Sequence, residues 1–252
     1  NIQYGSDLLS KVDTDAIKIS GGIQATSNPE KILNEYKNID FLIRGESELI
    51  LQEICDLFPN IEAIKEQNGL AYRNDKNKIV LTKKQKIITD LDLIPEYDYS
   101  LFDDQIFFRP YNGEVLRAVD YEMSRGCVFT CSYCVETIIQ NYYSVAENKR
   151  GVLQKPKEYL RNKSANRIFS ELSNLNKKFN VKLIRCQDTN FLTINKNVLK
   201  ELSDLLNDSE LDIKLYIETR PEGVNEFSIE LLKKLKVDGV GMGLEVSTEG
   251  FR

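Results

Sequence analysis

Histidine is absent from all 252 residues, and that absence removes a large part of enzyme chemistry. No Ser-His-Asp or Cys-His nucleophile can be assembled from this chain, and no His-ligated metal. Also lacking are a signal peptide and any apolar run near the roughly 20 residues needed to span a bilayer. The expected location is therefore cytoplasmic, where reduced cysteines suit a metal better than a disulfide. Cations are short too: 34 Lys and Arg against 39 Asp and Glu give 34 − 39 = −5. Nucleic-acid backbones are held by clustered Lys and Arg, so neither a nucleic-acid nor a membrane partner is expected. The run Lys83-Lys84-Gln85-Lys86 has no interleaved aromatics and reads as a solvated edge. The chain begins at Asn1 without an initiator methionine and stops at Arg252 just after a strand-like segment. A fragment of something longer, truncated at both ends, is expected.

What is present is a globular composition, 41% hydrophobic and 29% charged, enough for one large domain or two ordinary ones. Three of the five cysteines fall in Met123-Ser124-Arg125-Gly126-Cys127-Val128-Phe129-Thr130-Cys131-Ser132-Tyr133-Cys134, spaced CxxxCxxC. Thiolates this close can converge on one metal centre, and soft sulfur selects zinc, copper(I) or iron–sulfur clusters. A structural zinc site wants four ligands. Neither Cys55 nor Cys186 sits in a second CxxC, so a zinc loop would need its fourth ligand from a partner chain. A 4Fe-4S cluster on three cysteines matches better and leaves one iron open.

The flanking pattern is α/β. Residues 16–20 read as a strand running into Gly21-Gly22, then Asn28 caps a helix with Pro29 first and Ile32, Leu33 and Tyr36 inward. Residues 39–43 form a second strand, followed by Arg44-Gly45-Glu46 and a helix over 47–58 with Leu49, Ile50, Ile54, Leu57 and Phe58 apolar. Cys55 on that helix reads as a core thiol. This alternation is that of a parallel, doubly wound sheet. A small hairpin turns around residues 74–77, and a linker begins near residue 95. Residues 115–122 form the strand that delivers the cysteine loop, and an irregular polar connection is expected from Cys134 to about Lys163. Strand–helix units then repeat: a helix over 165–179 capped by Ser164, a strand at 181–186, a helix at 197–206, a strand at 213–218, a helix at 226–236 and a strand at 240–246. Consecutive units of this kind build barrels, which carry their chemistry at the strand ends. Cys186, on the second of these strands, reads as core.

The cysteine spacing, with aromatic Tyr133 before the last cysteine, resembles the signature of the radical S-adenosylmethionine (radical SAM) enzymes. The resemblance implies a 4Fe-4S cluster on Cys127, Cys131 and Cys134. Its open iron would chelate the amino and carboxylate groups of SAM, and reductive cleavage would give a 5′-deoxyadenosyl radical. Residues 18–26 and 41–48 resemble the second half of the cobalamin-binding domain of one radical SAM class, with Gly21, Gly22, Gly45 and Glu46 around the cofactor's nucleotide tail. The first strands of that domain are missing from this chain, and Gln24 stands where a histidine is common, so a structural remnant remains the alternative to cobalamin binding. The implied fold is the C-terminal half of a Rossmann-like cobalamin-binding domain (1–68), a hairpin and linker (69–112), and the first four strands of a partial (β/α) radical SAM barrel (113–252).

The same resemblance implies the remaining site residues. Asp188 and Asn190, after the second barrel strand, would hold the SAM amino group. Arg220 would meet its carboxylate, Glu245 and Ser247 its ribose, and Tyr133 its adenine. Gly241 and Gly243 would let backbone approach the ligand. Against each stands a structural alternative: a turn cap for Asp188, pairing of Arg220 with Glu218 or Glu222, and neutralisation of a barrel-end lysine by Glu245. No catalytic side chain beyond the cluster is expected. The implied function is cobalamin-dependent methylation or rearrangement of a small molecule, with an external one-electron donor of flavodoxin or ferredoxin type. The alternatives are a methylthiotransferase acting on tRNA or protein, and a non-catalytic iron–sulfur module.

Overall fold

The computed structural model describes residues 2–12, 14–145, 148–149 and 151–245. In chain order its elements are α1 (Ile2–Leu9), β1 (Ile19–Ser20), α2 (Ile23–Ser27), α3 (Pro29–Glu35), β2 (Phe41–Ile43), α4 (Glu48–Leu57), α5 (Ile61–Lys65), β3 (Leu70–Arg73) and β4 (Ile79–Leu81). Then come β5 (Phe108–Tyr111), β6 (Glu114–Tyr121), β7 (Ser124–Arg125), α6 (Val135–Tyr142), β8 (Asn148–Lys149), β9 (Val152–Leu153) and β10 (Arg161–Asn162). The chain finishes with α7 (Ala165–Phe179), β11 (Leu183–Cys186), α8 (Lys196–Asn207), β12 (Lys214–Thr219), α9 (Glu226–Lys234) and β13 (Val237–Met242). Two compact units result, Asn1–Ile88 with Phe129–Lys155, and Thr89–Val128 with Pro156–Arg252. The division falls inside the cysteine motif, between Val128 and Phe129.

The first unit is a sheet in the order β1-β2-β3-β4. Strands β1 and β2 are parallel, as expected, while β3 and β4 add antiparallel pairs. The hairpin expected as a separate element is thus an extension of this sheet. Every residue of β2 is buried because both faces are covered. Leu42 packs with Ile32, Leu33 and Ala71 on one face, and Phe41 and Ile43 with Ile50, Ile54 and Ile64 on the other. Only that one stripe of α4 is covered, so Leu49, Phe58 and Cys55 are exposed, which corrects the reading of Cys55 as a core thiol. Asn28 precedes α3 without a side-chain cap. Short helix α2 runs up to it, and its amide donates to Ser27 Oγ instead (3.1 Å). The irregular connection expected after Cys134 is also corrected, since α6 starts directly at Val135 and the β8–β9 hairpin follows.

The second unit is a sheet in the order β13-β12-β11-β6-β5. Strands β6, β11, β12 and β13 are parallel and β5 is an antiparallel edge. The β5–β6 turn is Asn112-Gly113, both at positive φ (49° and 82°), the pair that a tight two-residue hairpin prefers. Helices α7, α8 and α9 cover one face. Val119 and Tyr121 of β6, Ile184 and Cys186 of β11, and Leu215 and Ile217 of β12 point into that core against Ile168, Leu172, Leu199 and Leu202. The caps are those the helix starts demand: Ser164 accepts from Arg167 N–H (3.2 Å), Asn195 from Asn197 N–H (2.9 Å) and Asn225 from Ser228 N–H (3.0 Å). Cys186 is core, as expected, and burial pushes its thiol pKa well up. Strand β13 begins three residues earlier than the sequence pattern suggests and ends before Gly243.

Opposite edges of this sheet meet. Tyr111 on β5 donates to Asp238 on β13 (3.1 Å), and the Tyr111 and Tyr216 rings make an edge contact at 6.3 Å. Five flat strands would hold those edges about 19 Å apart, beyond a tyrosine's reach. The sheet is therefore curled into a trough. Gly239 and Gly241 make room for it, since a Cβ there would lie 2.5 Å from Tyr111 Oη and 2.6 Å from Tyr216 Oη respectively. Gly241 thus accommodates a neighbouring strand's side chain.

Beneath β6 lies a buried ionic network. Glu171 takes Lys163 at 2.7 Å on one oxygen together with the Tyr121 hydroxyl, and Arg167 on the other. Among the described residues, no helix is long and apolar enough to cross a membrane.

Candidate active site

In the second unit the parallel strands deliver polar side chains to their carboxyl ends, where barrel folds place ligands. Asp188, just after β11, is 2% exposed. Its Oδ1 accepts both the backbone N–H (2.6 Å) and the hydroxyl (2.5 Å) of Ser124. Ser124 heads the segment that enters the cysteine motif. Asp188 Oδ2 is buried and has no hydrogen-bond partner. Burial pushes the carboxyl up to about 6 from an ordinary 3.8, with the Glu122 charge adding and the hydrogen bonds of Ser124 and of the Met123 backbone opposing. A buried carboxylate with one oxygen open is a receptor for an ammonium group or a similar donor.

Asn190, also buried, accepts from the Thr219 hydroxyl at 2.8 Å and so ties the ends of β11 and β12 together. Arg220 follows β12, and its Nε and Nη2 meet the two oxygens of Glu222 at 3.2 and 2.7 Å. Its fork is thus closed on a carboxylate of its own chain. That contact stands in for the bidentate geometry a ligand carboxylate would need. Glu245 follows β13 and is exposed, while Ser247 lies outside the described residues. Of the two pairings expected for Arg220 within its own chain, the structure shows Glu222. Ser124 and Thr219, which complete the other contacts, carry no signal in the sequence.

Cys127 belongs to this second unit and is buried. Gly126 before it has φ +96°, and a Cβ there would sit 2.7 Å from the Tyr159 carbonyl oxygen, so the chain enters the motif through a position only glycine can fill. Cys131 and Cys134 belong to the first unit and are half-buried. They form a turn in which Cys134 N–H and the Thr137 hydroxyl both donate to the Cys131 carbonyl (3.0 and 2.8 Å), and Cys134 then leads into α6. Tyr133, between them, is 69% exposed. None of the five cysteines forms a disulfide. Among the described residues no group of three or more Cys, Asp or Glu stands close enough to hold a metal ion. The fit to an iron–sulfur cluster therefore lies in the donor set, three soft thiols in one short segment with no disulfide to break.

In the first unit, Gly21 borders a cleft of about 550 Å³ at the carboxyl end of β1, lined also by Leu8, Leu9, Ser20, Ile23 and Gln24. Gly22 is at φ +87°. Thr26 links the two expected cobalamin loops, donating to the Gly22 carbonyl (3.0 Å) and accepting from Gly45 N–H (2.8 Å). Gly45 and Glu46, however, are engaged by the chain itself. The Tyr142 hydroxyl donates to the Arg44 carbonyl (3.0 Å), Glu46 N–H donates to Tyr143 Oη (2.8 Å), and the Gln85 amide donates to both flanking carbonyls. The residues present thus fit a cofactor tail beside Gly21 and Gly22. The Gly45-Glu46 loop instead anchors the helix that follows Cys134.

No protein-family model matches the chain. An uncharacterized methyltransferase of Pyrococcus horikoshii is 27% identical over 232 residues, 92% of this chain and 45% of that protein. An anaerobic magnesium-protoporphyrin IX monomethyl ester cyclase of Cereibacter sphaeroides is 30% identical over 145 residues, 56% of this chain and 23% of that protein. The chain spans less than half the length of these curated relatives. Among solved structures, the radical SAM methyltransferase TsrM of Kitasatospora setae, with cobalamin and a [4Fe-4S] cluster bound, superposes with TM-score 0.69 at 17% identity, covering 96% of this chain and 44% of that one. The cobalamin-dependent radical SAM enzyme OxsB, with aqua-cobalamin and SAM bound, gives TM-score 0.65 at 17% identity over 99% of this chain and 34% of that one. The chain has the fold of the radical SAM enzymes. The two solved structures that it resembles are cobalamin-dependent members of that class, and the chain spans less than half of each.

Proposed function

We propose that this chain is the cofactor-binding portion of a cobalamin-dependent radical SAM enzyme that methylates or rearranges a small molecule. The observation that carries the reading is the CxxxCxxC segment following the first parallel strand of a curled β/α sheet, in a chain whose fold matches TsrM and OxsB. Cys127, Cys131 and Cys134 would hold the cluster, leaving one iron for SAM. When bound, the cluster and SAM supply a carbon radical by one-electron reduction, with the electron coming from a flavodoxin- or ferredoxin-type donor.

This chain's own residues bind and orient. Asp188 offers its open Oδ2 to the SAM ammonium, while its Oδ1 fixes the start of the cysteine segment through Ser124. Arg220 exchanges Glu222 for the SAM carboxylate. Asn190 holds the neighbouring strand ends in place. Tyr133 faces the adenine, and Glu245 and Ser247 the ribose. The cleft beside Gly21 and Gly22 takes the cobalamin tail. The expected compartment is cytoplasmic, and neither a nucleic-acid nor a membrane partner is expected. The likeness to two cobalamin-dependent enzymes weighs against the methylthiotransferase reading.

The test is anaerobic cluster reconstitution followed by electron paramagnetic resonance of the reduced protein with and without SAM. A 4Fe-4S signal that changes shape with SAM supports an open iron. A signal indifferent to SAM, or stoichiometric zinc in place of iron, refutes the reading.

A further inference from the structure

The concave face of the curled sheet carries a charge cluster that the cofactors do not use. Asp120 of β6, Arg185 of β11, Tyr216 of β12 and Gly239 of β13 are register partners in one row across the strands. They alternate with the residues that pack against the helices, so they face into the trough. Arg109 joins them from edge strand β5. Its Nη2 lies 3.6 Å from Asp120 Oδ2, and Arg185 Nη1 lies 3.6 Å from Asp120 Oδ1. Among the described residues, Gln187 alone is in hydrogen-bond contact with this carboxylate, at 3.0 Å.

Two cations thus flank one anion at distances beyond the 2.7–3.2 Å of an N–H···O bond. Arg109 Nε is buried and has no hydrogen-bond partner. Guanidinium groups held beyond hydrogen-bond reach of the carboxylate they share are organised for a planar oxyanion, and other carboxylates of this face are Glu122, which pairs with Arg125, and Glu218, two residues along β12 from Tyr216. Tyr111 and Tyr216 wall the trough at its far end with aromatic surface. Asp120 acts as an internal counter-ion that holds the two arginines apart and is outcompeted when an anion enters between them.

We propose that Arg109 and Arg185 form a carboxylate-binding site on the inner face of the sheet, so that the substrate is an organic acid held by its carboxylate. That the anion belongs to a substrate rests on the radical SAM reading. The site itself does not.

The experiment follows the arginine Nε–Hε resonances of the ¹⁵N-labelled chain, titrated with sodium succinate, with inorganic phosphate, and with sodium chloride at matched ionic strength. The expected result is saturable movement of the Arg109 and Arg185 signals with succinate and none with chloride. It should be lost in Arg109→Gln and Arg185→Gln variants whose circular dichroism matches the parent. Asp120→Asn removes the competing carboxylate and should tighten succinate binding by roughly three- to tenfold, as expected for one half-exposed charge contact. Movement with phosphate alone overturns the carboxylate assignment, and no saturable movement with either anion overturns the site. Neither cluster nor SAM is needed, so a negative result leaves the radical SAM reading standing, and an unchanged paramagnetic signal with SAM leaves this site testable.

Discussion

Replacing Asp188 by asparagine should shift stability in the variant's favour as pH rises from acid to neutral. The carboxyl titrates near 6 in the fold against an ordinary 3.8. A folded-state value above the unfolded one means that the native state binds the proton more tightly. Stability from this group is therefore complete below pH 3.8 and is lost as pH rises through about 6. At about 1.4 kcal/mol per pH unit, the gap between 3.8 and about 6 costs the ionised native state about 3 kcal/mol above pH 7. Asparagine keeps an acceptor for both Ser124 donors and abolishes the ionisation, but it brings an amide N–H₂ to the place of the open Oδ2, a cost of about 1–3 kcal/mol at every pH. The pH dependence of the difference, rather than its absolute size, is therefore the diagnostic quantity. Urea unfolding of parent and variant at half-unit steps from pH 4.5 to 8 measures it. The expected curve rises in favour of the variant by about 2 kcal/mol over this range, most steeply near pH 5 between the unfolded and folded values, and levels off above about pH 6 to 7. A difference that stays flat across this range would refute the argument that burial of Asp188 outweighs its hydrogen bonds. A ligand ammonium on Oδ2 should erase the effect, because an adjacent positive charge pulls the carboxyl back down.

Glu171→Ala should destabilise by about 3–5 kcal/mol, because Lys163 stays buried without its partner, and scanning calorimetry should register a drop of roughly 6–20 °C in Tm. Gly45→Ala should cost about 2 kcal/mol or more, since φ is +84° and a Cβ would meet Tyr143 Oη at 2.6 Å. A chemical melt that leaves it at parent stability would contradict that contact. Serine at Cys127, Cys131 or Cys134 should each bring iron per reconstituted chain close to zero with little change in far-ultraviolet circular dichroism. The same change at Cys55, which is exposed on α4, should leave iron content at the parent level.

Periodicity made the strand–helix repeats legible, because α7, α8 and the strands between them each bury a single regular stripe. Ser164 and Pro29 marked helix starts through local rules alone. Other features escaped for identifiable reasons. Cys55 lies beside the stripe of Ile50 and Ile54 and looked apolar by neighbourhood, yet α4 covers one face only. Helix α6 was hidden because Gln140 is fully buried there, its amide donating to the Phe129 carbonyl at 3.0 Å, so polarity misled where a hydrogen bond satisfied it. The β5–β6 hairpin did carry a signal, Asn112-Gly113, which went unused. The partners of Asp188 and Asn190 depend on which strands are neighbours, and one strand's sequence does not contain that information, whereas Glu222, two residues from Arg220, was legible.

The Tyr111–Asp238 hydrogen bond joins residues 127 positions apart. Closing so long a stretch of chain is entropically expensive, and nothing local helps it, whereas the β/α units between the two residues can each form from neighbouring segments. The contact therefore belongs to the end of folding, after β13 has found its place beside β12. Tyr111→Phe is therefore expected to speed unfolding and leave the folding rate near that of the parent, a split that the two arms of a denaturant chevron separate. A tyrosine at the tip of a two-residue hairpin thus acts as a latch on residence time.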